Sequence, residues 1–259
     1  MTFEAALPRF DVRDQVALVT GAARGLGRSI ALALAEAGAH VALGLRDIDA
    51  DGGVAAEIAA RGRRALPLQL DVARTEQIAP AMQAVVDEFG RLDILVNNAG
   101  IALGGRAEAV TEADFDQTLA VNLKGTFFAS QAAGKIMISQ GYGRIVNLGS
   151  QAGAIALPGE AVYCMTKAAI AHLTKCLAVE WGRHGINVNA VAPTFVRTPG
   201  TAEVLADQAF HDDVVERIAA LHRIGEPIEV AGVVVFLASP AASLITGETV
   251  LIDGGWTAR

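Results

Sequence analysis

The fold is decided by residues 16–37, which read VALVTGAARGLGRSIALALAEA. The first five residues are apolar or β-branched, as in a buried strand, and the alanine- and leucine-rich end is typical of a helix. Three glycines between them permit a tight turn whose backbone can approach a ligand closely. The first amides of the following helix can bind a pyrophosphate at such a turn. The turn residues that we expect to contact a cofactor are Gly21, Arg24, Gly25, Leu26 and Gly27.

Short apolar runs alternate with helical patterns along the rest of the chain. Six further strand candidates cover residues 41–45, 65–70, 94–96, 145–148, 188–191 and 250–252. Helical patterns cover residues 26–37, 51–61, 76–89, 112–138, 161–182 and 229–237. Apolar strands separated by helices form parallel sheets that are covered on both faces. The pattern therefore predicts a single doubly wound Rossmann-type α/β domain over residues 1–259, with a seven-stranded parallel sheet that binds ligands at the carboxyl ends of its strands.

Residues 194–226 interrupt this alternation between the sixth and seventh strands. Long insertions in a compact domain are commonly lids or specificity loops. We expect this segment to be a substrate loop or lid within the domain, and a plain surface excursion is the alternative.

Composition narrows the functional classes. The chain has 259 residues, 52% of them hydrophobic, and a formal charge of −7, which disfavours binding to nucleic acid. Its longest apolar run, residues 230–245, is too short to cross a membrane. Residues 1–14 contain no apolar signal core, so we expect a cytoplasmic protein without a membrane partner. The histidines and cysteines show no metal-ligand spacing, so no metal site is expected.

Tyr163 and Lys167 lie four residues apart on one predicted helix, so their side chains share a face. A phenol with a pKa of about 10 is a poor proton shuttle at neutral pH. A lysine cation about 4 Å away, at an effective dielectric of about 20, favours the phenolate by roughly 4 kcal/mol. Ser150 follows the fifth strand, where its hydroxyl can hold a carbonyl oxygen. This set predicts general acid–base catalysis, whereas a serine hydrolase is disfavoured because GSQAG at 149–153 does not fit G-x-S-x-G.

The sequence resembles the classical short-chain dehydrogenases/reductases over nearly its whole length. The motifs that carry the resemblance are TGAARGLG at 20–27, NNAG at 97–100, Asn122, Ser150, the Tyr163-x-x-x-Lys167 pair and DGG at 253–255. Divergent enoyl reductases of this family have a longer separation between tyrosine and lysine, and position 170 here is Ile170. The resemblance therefore points to chemistry at an alcohol or a ketone.

The same resemblance implies four catalytic residues. Tyr163 is expected to be the general acid/base, and Lys167 is expected to bind the ribose and lower the pKa of Tyr163. Ser150 is expected to orient the carbonyl, and Asn122 to hold a water that links Lys167 to solvent.

Further cofactor contacts and a homotetramer are also implied. The resemblance places Asp71 and Val72 against adenine, Asn98 along the cofactor site, and Val196 and Thr198 at the nicotinamide carboxamide. The helices predicted at 112–138 and 161–182 carry apolar residues over more than one narrow stripe, which a monomer would expose to water. We therefore expect these two helices to pack against copies of themselves.

The end of the second strand favours NADP(H) over NAD(H). In NAD-dependent enzymes of this fold an acidic side chain ends that strand and binds the ribose hydroxyls. Here that position is Leu45, and Arg46 follows it. Arg46 and Arg24 are suited to a 2′-phosphate. Asp47, two positions further on, keeps NAD(H) possible.

The sequence therefore predicts an NADP(H)-dependent oxidoreductase that interconverts a secondary alcohol and a ketone of a small-molecule substrate. Alternatives are an NAD-linked sugar, polyol or sugar-acid dehydrogenase and a 3-oxoacyl thioester reductase. A non-catalytic dinucleotide sensor on the same fold is the alternative from another class. Gln151, Leu157, Pro158, Phe195 and the 194–226 segment are expected to line the substrate pocket.

Overall fold

The computed structural model describes residues 7–258 and contains one seven-stranded sheet in which every strand pair is parallel. The strands are β1 (Val16–Thr20), β2 (His40–Leu45), β3 (Ala65–Gln69), β4 (Ile94–Asn97), β5 (Gly143–Leu148), β6 (Ile186–Pro193) and β7 (Thr249–Ile252). Their order is β3-β2-β1-β4-β5-β6-β7. The prediction of a doubly wound sheet with seven parallel strands is confirmed. Residues 1–6 and 259, which the expectations for the N-terminal stretch and the domain included, lie outside the described residues.

Helices connect the strands and cover both faces of the sheet. They are α1 (Gly25–Glu36), α2 (Val54–Ala60), α3 (Ile78–Phe89), α4 (Glu112–Leu119), α5 (Thr126–Gln140), α6 (Ala161–Trp181), α7 (Ala202–Ala206), α8 (Gln208–Arg217) and α9 (Pro227–Ala238). α9 begins with Pro227 at its first turn and a capping box between Glu226 and Glu229. Both features favour a helix start because proline fits the first turn and the box satisfies free amides.

Alternation along the strands divides the apolar core into two layers. Val19, Val41 and Ile94 point to the layer that α1 and α9 cover. Leu18 and Leu95, one residue out of phase, belong to the layer packed against α3 and α5. Both sheet faces are thus dry, which is why the strands are apolar throughout rather than alternating with polar residues.

The strand order reverses between β1 and β4, which are neighbours in the sheet but not in the chain. Ligands of open α/β sheets bind at this reversal, at the carboxyl ends of the strands. The segments that follow β1, β4, β5 and β6 all leave the sheet at this edge. They carry most of the residues that the sequence predicted to be functional.

The single helix predicted over residues 112–138 is interrupted in the structure. α4 and α5 are separated by a π-helical segment, Ala120–Gly125. Asn122 lies within it and hydrogen-bonds to the backbone of Ile101, while Gly125 packs directly against Val72. These two tertiary contacts fix the backbone locally, and π-bulges of this kind frequently occur at functional sites.

The predicted loop over residues 194–226 contains two helices, α7 and α8, and a short parallel bridge between Val196 and Gly225. Among residues 7–258, no helix is both long and apolar enough to span a bilayer. In the same range, no group of three or more His, Cys, Asp or Glu side chains is arranged to hold a metal ion.

Candidate active site

The glycine turn after β1 is held closed by contacts that leave no room for side chains. Gly25 has a φ of +57°, in the left-handed region that favours glycine. A Cβ added to Gly27 would lie 2.2 Å from the carbonyl oxygen of Gly21. The first turn of α1 therefore packs directly on the backbone of Gly21, as predicted for a turn that a phosphate approaches.

Asn98 fastens this turn to β4. Its Nδ2 donates hydrogen bonds to the carbonyl oxygens of Thr20 (2.8 Å) and Gly21 (3.2 Å), and its backbone N–H donates to Thr20 Oγ1 at 3.0 Å. The sequence placed Asn98 along the cofactor site. The structure places it beside the glycine turn, with its amide group engaged in shaping that turn.

The N-terminus of α1 is suited to an anion. Arg24 occupies the N-cap position with an extended backbone and an exposed side chain, and Leu26 is half-buried behind it. Within residues 7–258 the Arg24 side chain makes no capping hydrogen bond to the first-turn amides. Free amides and the helix dipole attract a phosphate at this point. The turn and the helix N-terminus thus fit the pyrophosphate of a dinucleotide.

β2 ends with an apolar side chain that is followed by an arginine. The Leu45 side chain is buried in the α1-facing core, and Arg46 is exposed immediately after it. Asp47 accepts a hydrogen bond from the backbone N–H of Asp49 at 3.1 Å. The Gln69 amide also holds this segment by donating to the Arg46 carbonyl oxygen at 2.8 Å. Arg46 is therefore the charged side chain next to the strand, while Asp47 caps its own turn.

Asp71 and Val72 follow β3 and face the π-helical segment. Asp71 accepts a hydrogen bond from the Ala73 amide at 3.0 Å, and its own amide donates to Gln77 at 2.8 Å. Val72 is buried against Gly125, where an added Cβ would lie 2.9 Å from the Val72 carbonyl oxygen. The two residues form a fixed wall beside the site rather than a mobile loop.

Asn122 joins the π-helical segment to the loop after β4. Its Oδ1 accepts from the Ile101 amide at 2.8 Å, and its Nδ2 donates to the Ile101 carbonyl at 2.8 Å and to Thr166 Oγ1 at 3.2 Å. An added Cβ on Gly100 would lie 3.5 Å from Asn122 Oδ1 and 3.7 Å from Lys167 Nζ. Asn122 and Lys167 thus both lie close to Gly100.

Ser150, Tyr163 and Lys167 come together where β5 ends and α6 begins. Lys167 is buried, its Nζ donates to the Leu148 carbonyl at 2.6 Å, and it lies 5.5 Å from the centroid of the Tyr163 ring. Ser150 Oγ accepts from the Ala152 amide at 3.1 Å. The serine hydroxyl can still donate a hydrogen bond because a hydroxyl both donates and accepts.

Burial shifts the pKa of Lys167 and that of Tyr163 in the directions that favour their neutral forms. It lowers the pKa of Lys167 to about 8. Burial also raises the pKa of Tyr163, with the Glu160 carboxylate adding to the increase and a hydrogen bond from Ser150 opposing it. Burial is thus the largest influence on the Tyr163 pKa.

The segment after β6 closes the site from the other side. Val196 is buried and accepts a hydrogen bond from Thr201 Oγ1 at 2.6 Å, and Thr198 lies against the glycine turn, 3.5 Å from a Cβ added to Gly25. Phe195 stacks on Trp256 at 6.0 Å and meets Phe210 edge to face at 5.5 Å. These aromatic rings join the 194–226 segment to the C-terminal end of the described chain.

Two features of the site were not anticipated from the sequence. Glu160 lies one turn before Tyr163, and its Oε1 is 2.8 Å from a Cβ added to Gly104. The sequence predicted Gln151 in the substrate pocket, but it did not predict that this side chain would be almost completely buried. Sequence periodicity does not identify either feature, because both depend on how the loops after β4 and β5 meet α6.

Comparison with known proteins places this site in a family. A family model described as "Enoyl-(Acyl carrier protein) reductase" matches residues 21–257. An NAD-dependent glycerol dehydrogenase of Listeria innocua is 43% identical over the full length of both chains. The structure of a putative short-chain alcohol dehydrogenase from Sinorhizobium meliloti 1021 superposes with a TM-score of 0.94 at 43% identity, over 97% of this chain and 100% of that one. A gluconate 5-dehydrogenase from Burkholderia cenocepacia, solved with NADP and tartrate, has a TM-score of 0.94 at 36% identity, over 98% of this chain and 100% of that one.

The fold, the glycine turn and the Tyr163–Lys167 pair define a dinucleotide-dependent oxidoreductase. The chain belongs to the classical short-chain dehydrogenase/reductase family. It is an NAD(P)-dependent enzyme that acts on alcohol and ketone groups, and the four-residue step from Tyr163 to Lys167 separates it from the divergent enoyl reductases.

The buried lysine predicts a pH-dependent stability gain in Lys167→Met. The Lys167 pKa falls from 10.5 to about 8 on folding. Burial of the ammonium therefore destabilises the fold fully below pH 8, and this penalty declines as the pH rises toward 10.5. Such a shift corresponds to about 3 kcal/mol, offset by about 1 kcal/mol for the lost hydrogen bond. Urea unfolding should show the variant about 2 kcal/mol more stable than wild type at pH 7, and the gain should shrink by pH 9.5.

Lys175→Met is the matched control, because Lys175 is exposed on the same helix. It should change the free energy of unfolding by less than about 0.5 kcal/mol at either pH. A Lys167→Met protein that is less stable than wild type at pH 7 would contradict the assigned pKa.

Proposed function

We propose that Tyr163 is the general acid/base of this enzyme and that Ser150, Lys167 and Asn122 complete its catalytic set. The observation that carries the proposal is the burial of Lys167 within 5.5 Å of the Tyr163 ring centroid, beside the Ser150 hydroxyl. A structural lysine has no need of such a position, since burial opposes its charge. A non-catalytic dinucleotide sensor would also have no use for the set.

In the direction of alcohol oxidation, Ser150 donates a hydrogen bond to the substrate oxygen and Tyr163 Oη removes its proton. A dinucleotide held at the glycine turn and by Val196 and Thr198 would supply the hydride acceptor and, in its oxidised form, a positive charge. The Lys167 ammonium stabilises the phenolate that receives the proton and holds the ribose. In ketone reduction Tyr163 returns the proton to the alkoxide oxygen.

Asn122 is placed to support proton exchange between the Tyr163–Lys167 pair and solvent. Its Nδ2 hydrogens are both used, by Ile101 and Thr166, but its Oδ1 keeps one lone pair beside Gly100 and Lys167. A water that donates a hydrogen bond to this lone pair would link Lys167 to solvent.

The cofactor contacts follow from the same edge of the sheet. The pyrophosphate binds at Gly21, Gly25, Leu26 and Gly27, on the turn that Asn98 shapes. Asp71 and Val72 contact the adenine, and Val196 and Thr198 hold the carboxamide. The 194–226 segment acts as a substrate lid within a single domain, anchored by the stacking of Phe195 on Trp256.

Tyr163→Phe tests the acid/base assignment. The change removes the phenolic oxygen and keeps the ring, so kcat should fall by about 10²–10⁴ while the Kd of the dinucleotide changes less than threefold. Steady-state assays and a cofactor-fluorescence titration measure the two effects. Tyr142→Phe is the control, because Tyr142 precedes β5 at the opposite edge of the sheet, where it accepts a hydrogen bond from Gln15. Tyr163→Phe turnover above a tenth of wild type, with chemistry still limiting, would show the assignment to be wrong.

We further propose that the enzyme prefers NADP(H), with Arg24 and Arg46 binding the 2′-phosphate. Within residues 7–258 neither guanidinium forms an ion pair, whereas the nearby Asp47 caps its own turn. A structural relative was solved with NADP, and another relative is named as NAD-dependent, so both cofactors are chemically compatible with this fold.

Exchange of the residues that end β2 should reverse the preference. Hydrogen bonds to charged groups contribute roughly 1.5–3 kcal/mol, so Arg46→Ala should raise the KM for NADP(H) by one to two decades and leave that for NAD(H) nearly unchanged. Leu45→Asp combined with Arg46→Ile should make kcat/KM higher with NAD(H). The measurement is kcat/KM with both cofactors. The assignment is refuted if the wild-type enzyme prefers NAD(H) and if Arg46→Ala leaves its kinetics with both cofactors unchanged.

We also propose that the protein is cytoplasmic and that it forms a homotetramer. The tetramer is favoured because α4, α5 and α6 leave apolar side chains exposed to water. The exposed apolar side chains on these helices are Phe115, Phe127, Phe128, Ile138, Met165 and Val179. Val179 alone is 84% exposed. α6 contacts both α4 and α5, and exposed apolar side chains on neighbouring helices favour an interface.

Light scattering at micromolar concentration should give a mass near four times the 26.8 kDa of one chain. Val179→Glu should shift the mass toward smaller species, since it places a charge on the proposed interface. Val204→Glu, at an exposed position on α7, should leave the mass unchanged. A single 26.8 kDa species for wild type rules out the tetramer.

A further inference from the structure

The chain segments that surround the site carry more acidic than basic side chains. Three segments surround Ser150 and Tyr163 at the carboxyl edge of the sheet, namely residues 98–111 after β4, 149–160 after β5 and 194–226 after β6. The last of these contains six acidic side chains and three arginines, and the second has Glu160 as its one charged residue.

The arginines of these segments are already engaged. Arg197 pairs with Glu226 at 3.0 Å, and Arg223 pairs with Glu229 at 2.6 Å. Arg217 pairs with Asp213 at 2.7 Å, and Arg106 lies 3.6 Å from Glu108. In the described parts of these segments, no arginine or lysine is left without an acidic neighbour to bind an anionic substrate.

Gln151 offers an amide that the protein does not use. It follows Ser150 directly, and its side chain is 1% exposed. Neither Oε1 nor Nε2 hydrogen-bonds to another residue in the range 7–258. A buried amide without partners destabilises the fold, and a ligand group that both donates and accepts hydrogen bonds would satisfy it.

Glu160 offers a carboxylate near Tyr163. It occupies the N-cap position of α6, three residues before Tyr163, so the two side chains lie on neighbouring turns of one face. Its Oε2 is buried and has no hydrogen-bond partner in the described chain. The charge of Glu160 reaches Tyr163, whose pKa it raises.

We propose that the enzyme oxidises neutral polyols, with Gln151 and Glu160 binding the hydroxyl next to the reacting carbon and Glu160 disfavouring substrates that carry a carboxylate. Hydroxyls fit this pair because each one can donate to Glu160 or Gln151 Oε1 and accept from Gln151 Nε2. A carboxylate would meet the like charge of Glu160, and the arginines of the surrounding segments are already paired with acids.

The reaction is balanced for a vicinal diol. The C–H bond of one carbinol carbon breaks and its hydride passes to the oxidised dinucleotide, while the proton of the same hydroxyl passes to Tyr163. The product is an α-hydroxyketone, whose remaining hydroxyl stays on Gln151 and Glu160. This inference rests on the proposed role of Tyr163 and adds the substrate class.

The test compares three substrates in the wild-type enzyme with each cofactor. Butane-2,3-diol and butan-2-ol differ only in the second hydroxyl, and gluconate adds a carboxylate to a polyol. We expect kcat/KM for the diol to exceed that for butan-2-ol by at least tenfold. When kcat/KM is divided by the number of hydroxyl groups in each substrate, we expect the value for gluconate to be the lowest of the three.

Two variants then separate the two contacts. Gln151→Leu keeps the side-chain volume and should lower the diol to butan-2-ol ratio of kcat/KM by about tenfold. Glu160→Gln removes the charge and should raise the gluconate to diol ratio by about tenfold, as expected for a like charge removed from a partly buried site. Glu248→Gln, the same change at an exposed position just before β7 and therefore at the opposite edge of the sheet, is the control and should alter neither ratio by more than twofold.

The outcomes distinguish the two levels of the argument. An enzyme that oxidises butan-2-ol as well as the diol, or whose ratios do not respond to Gln151→Leu and Glu160→Gln, overturns the polyol site and leaves the acid/base proposal standing. Wild-type preference for gluconate, or for a 3-oxoacyl thioester, overturns it as well. Absence of turnover with any alcohol or ketone, while dinucleotide binding persists, refutes the proposed function itself. If Gln151→Leu does not fold, the gluconate to diol ratio of kcat/KM in Glu160→Gln alone decides whether the polyol site stands.

Discussion

The contact between Gly27 and the backbone of Gly21 is the constraint on which the rest of the site depends. It brings the first turn of α1 against the end of β1, and Asn98 then fixes the same turn to β4 through two hydrogen bonds. Because β1 and β4 are neighbours at the reversal of strand order, this one junction aligns the helix amides with the loops that carry Asn122 and Ser150. Any side chain at Gly27 would separate α1 from the sheet and move both halves of the site apart.

The charges that the proposed mechanism needs oppose the stability of the fold. In that mechanism Lys167 is charged when it holds a phenolate, yet burial lowers its pKa to about 8. Tyr163 loses a proton in the same mechanism, yet burial raises its pKa. Each group alone is therefore held in its neutral form more strongly than in water. The chemistry becomes favourable when both ionise together, because the phenolate and the ammonium then compensate each other in a region of low dielectric.

The sequence predicted the parts of this structure that depend on local pattern. Seven apolar runs become seven strands, and alternation alone assigns Leu18 and Val19 to opposite faces. The Tyr163–Lys167 spacing is sufficient to place both side chains on one side of α6. Wherever tertiary contacts override local preference, the pattern is not enough. The helix predicted through Asn122 is interrupted because Ile101 and Val72, distant in sequence, hold that segment, and the Tyr163 pKa shifts upward because burial is a property of the packed site.

The two ends of the binding edge differ in how their charges are used. On the β1 and β2 side, Arg24 and Arg46 are exposed, and the adjacent Asp47 is hydrogen-bonded to backbone. On the β6 side the arginines are paired with acids, and Glu160 has a buried oxygen without a partner. Under the proposed function, this charge arrangement favours a dinucleotide whose phosphates lie on the arginine side and a substrate whose neutral hydroxyls lie on the Glu160 side. The reverse arrangement would bring phosphate oxygens against Glu160 and leave the arginines facing uncharged hydroxyls, so the charges of the proposed site favour one arrangement of cofactor and substrate at Tyr163.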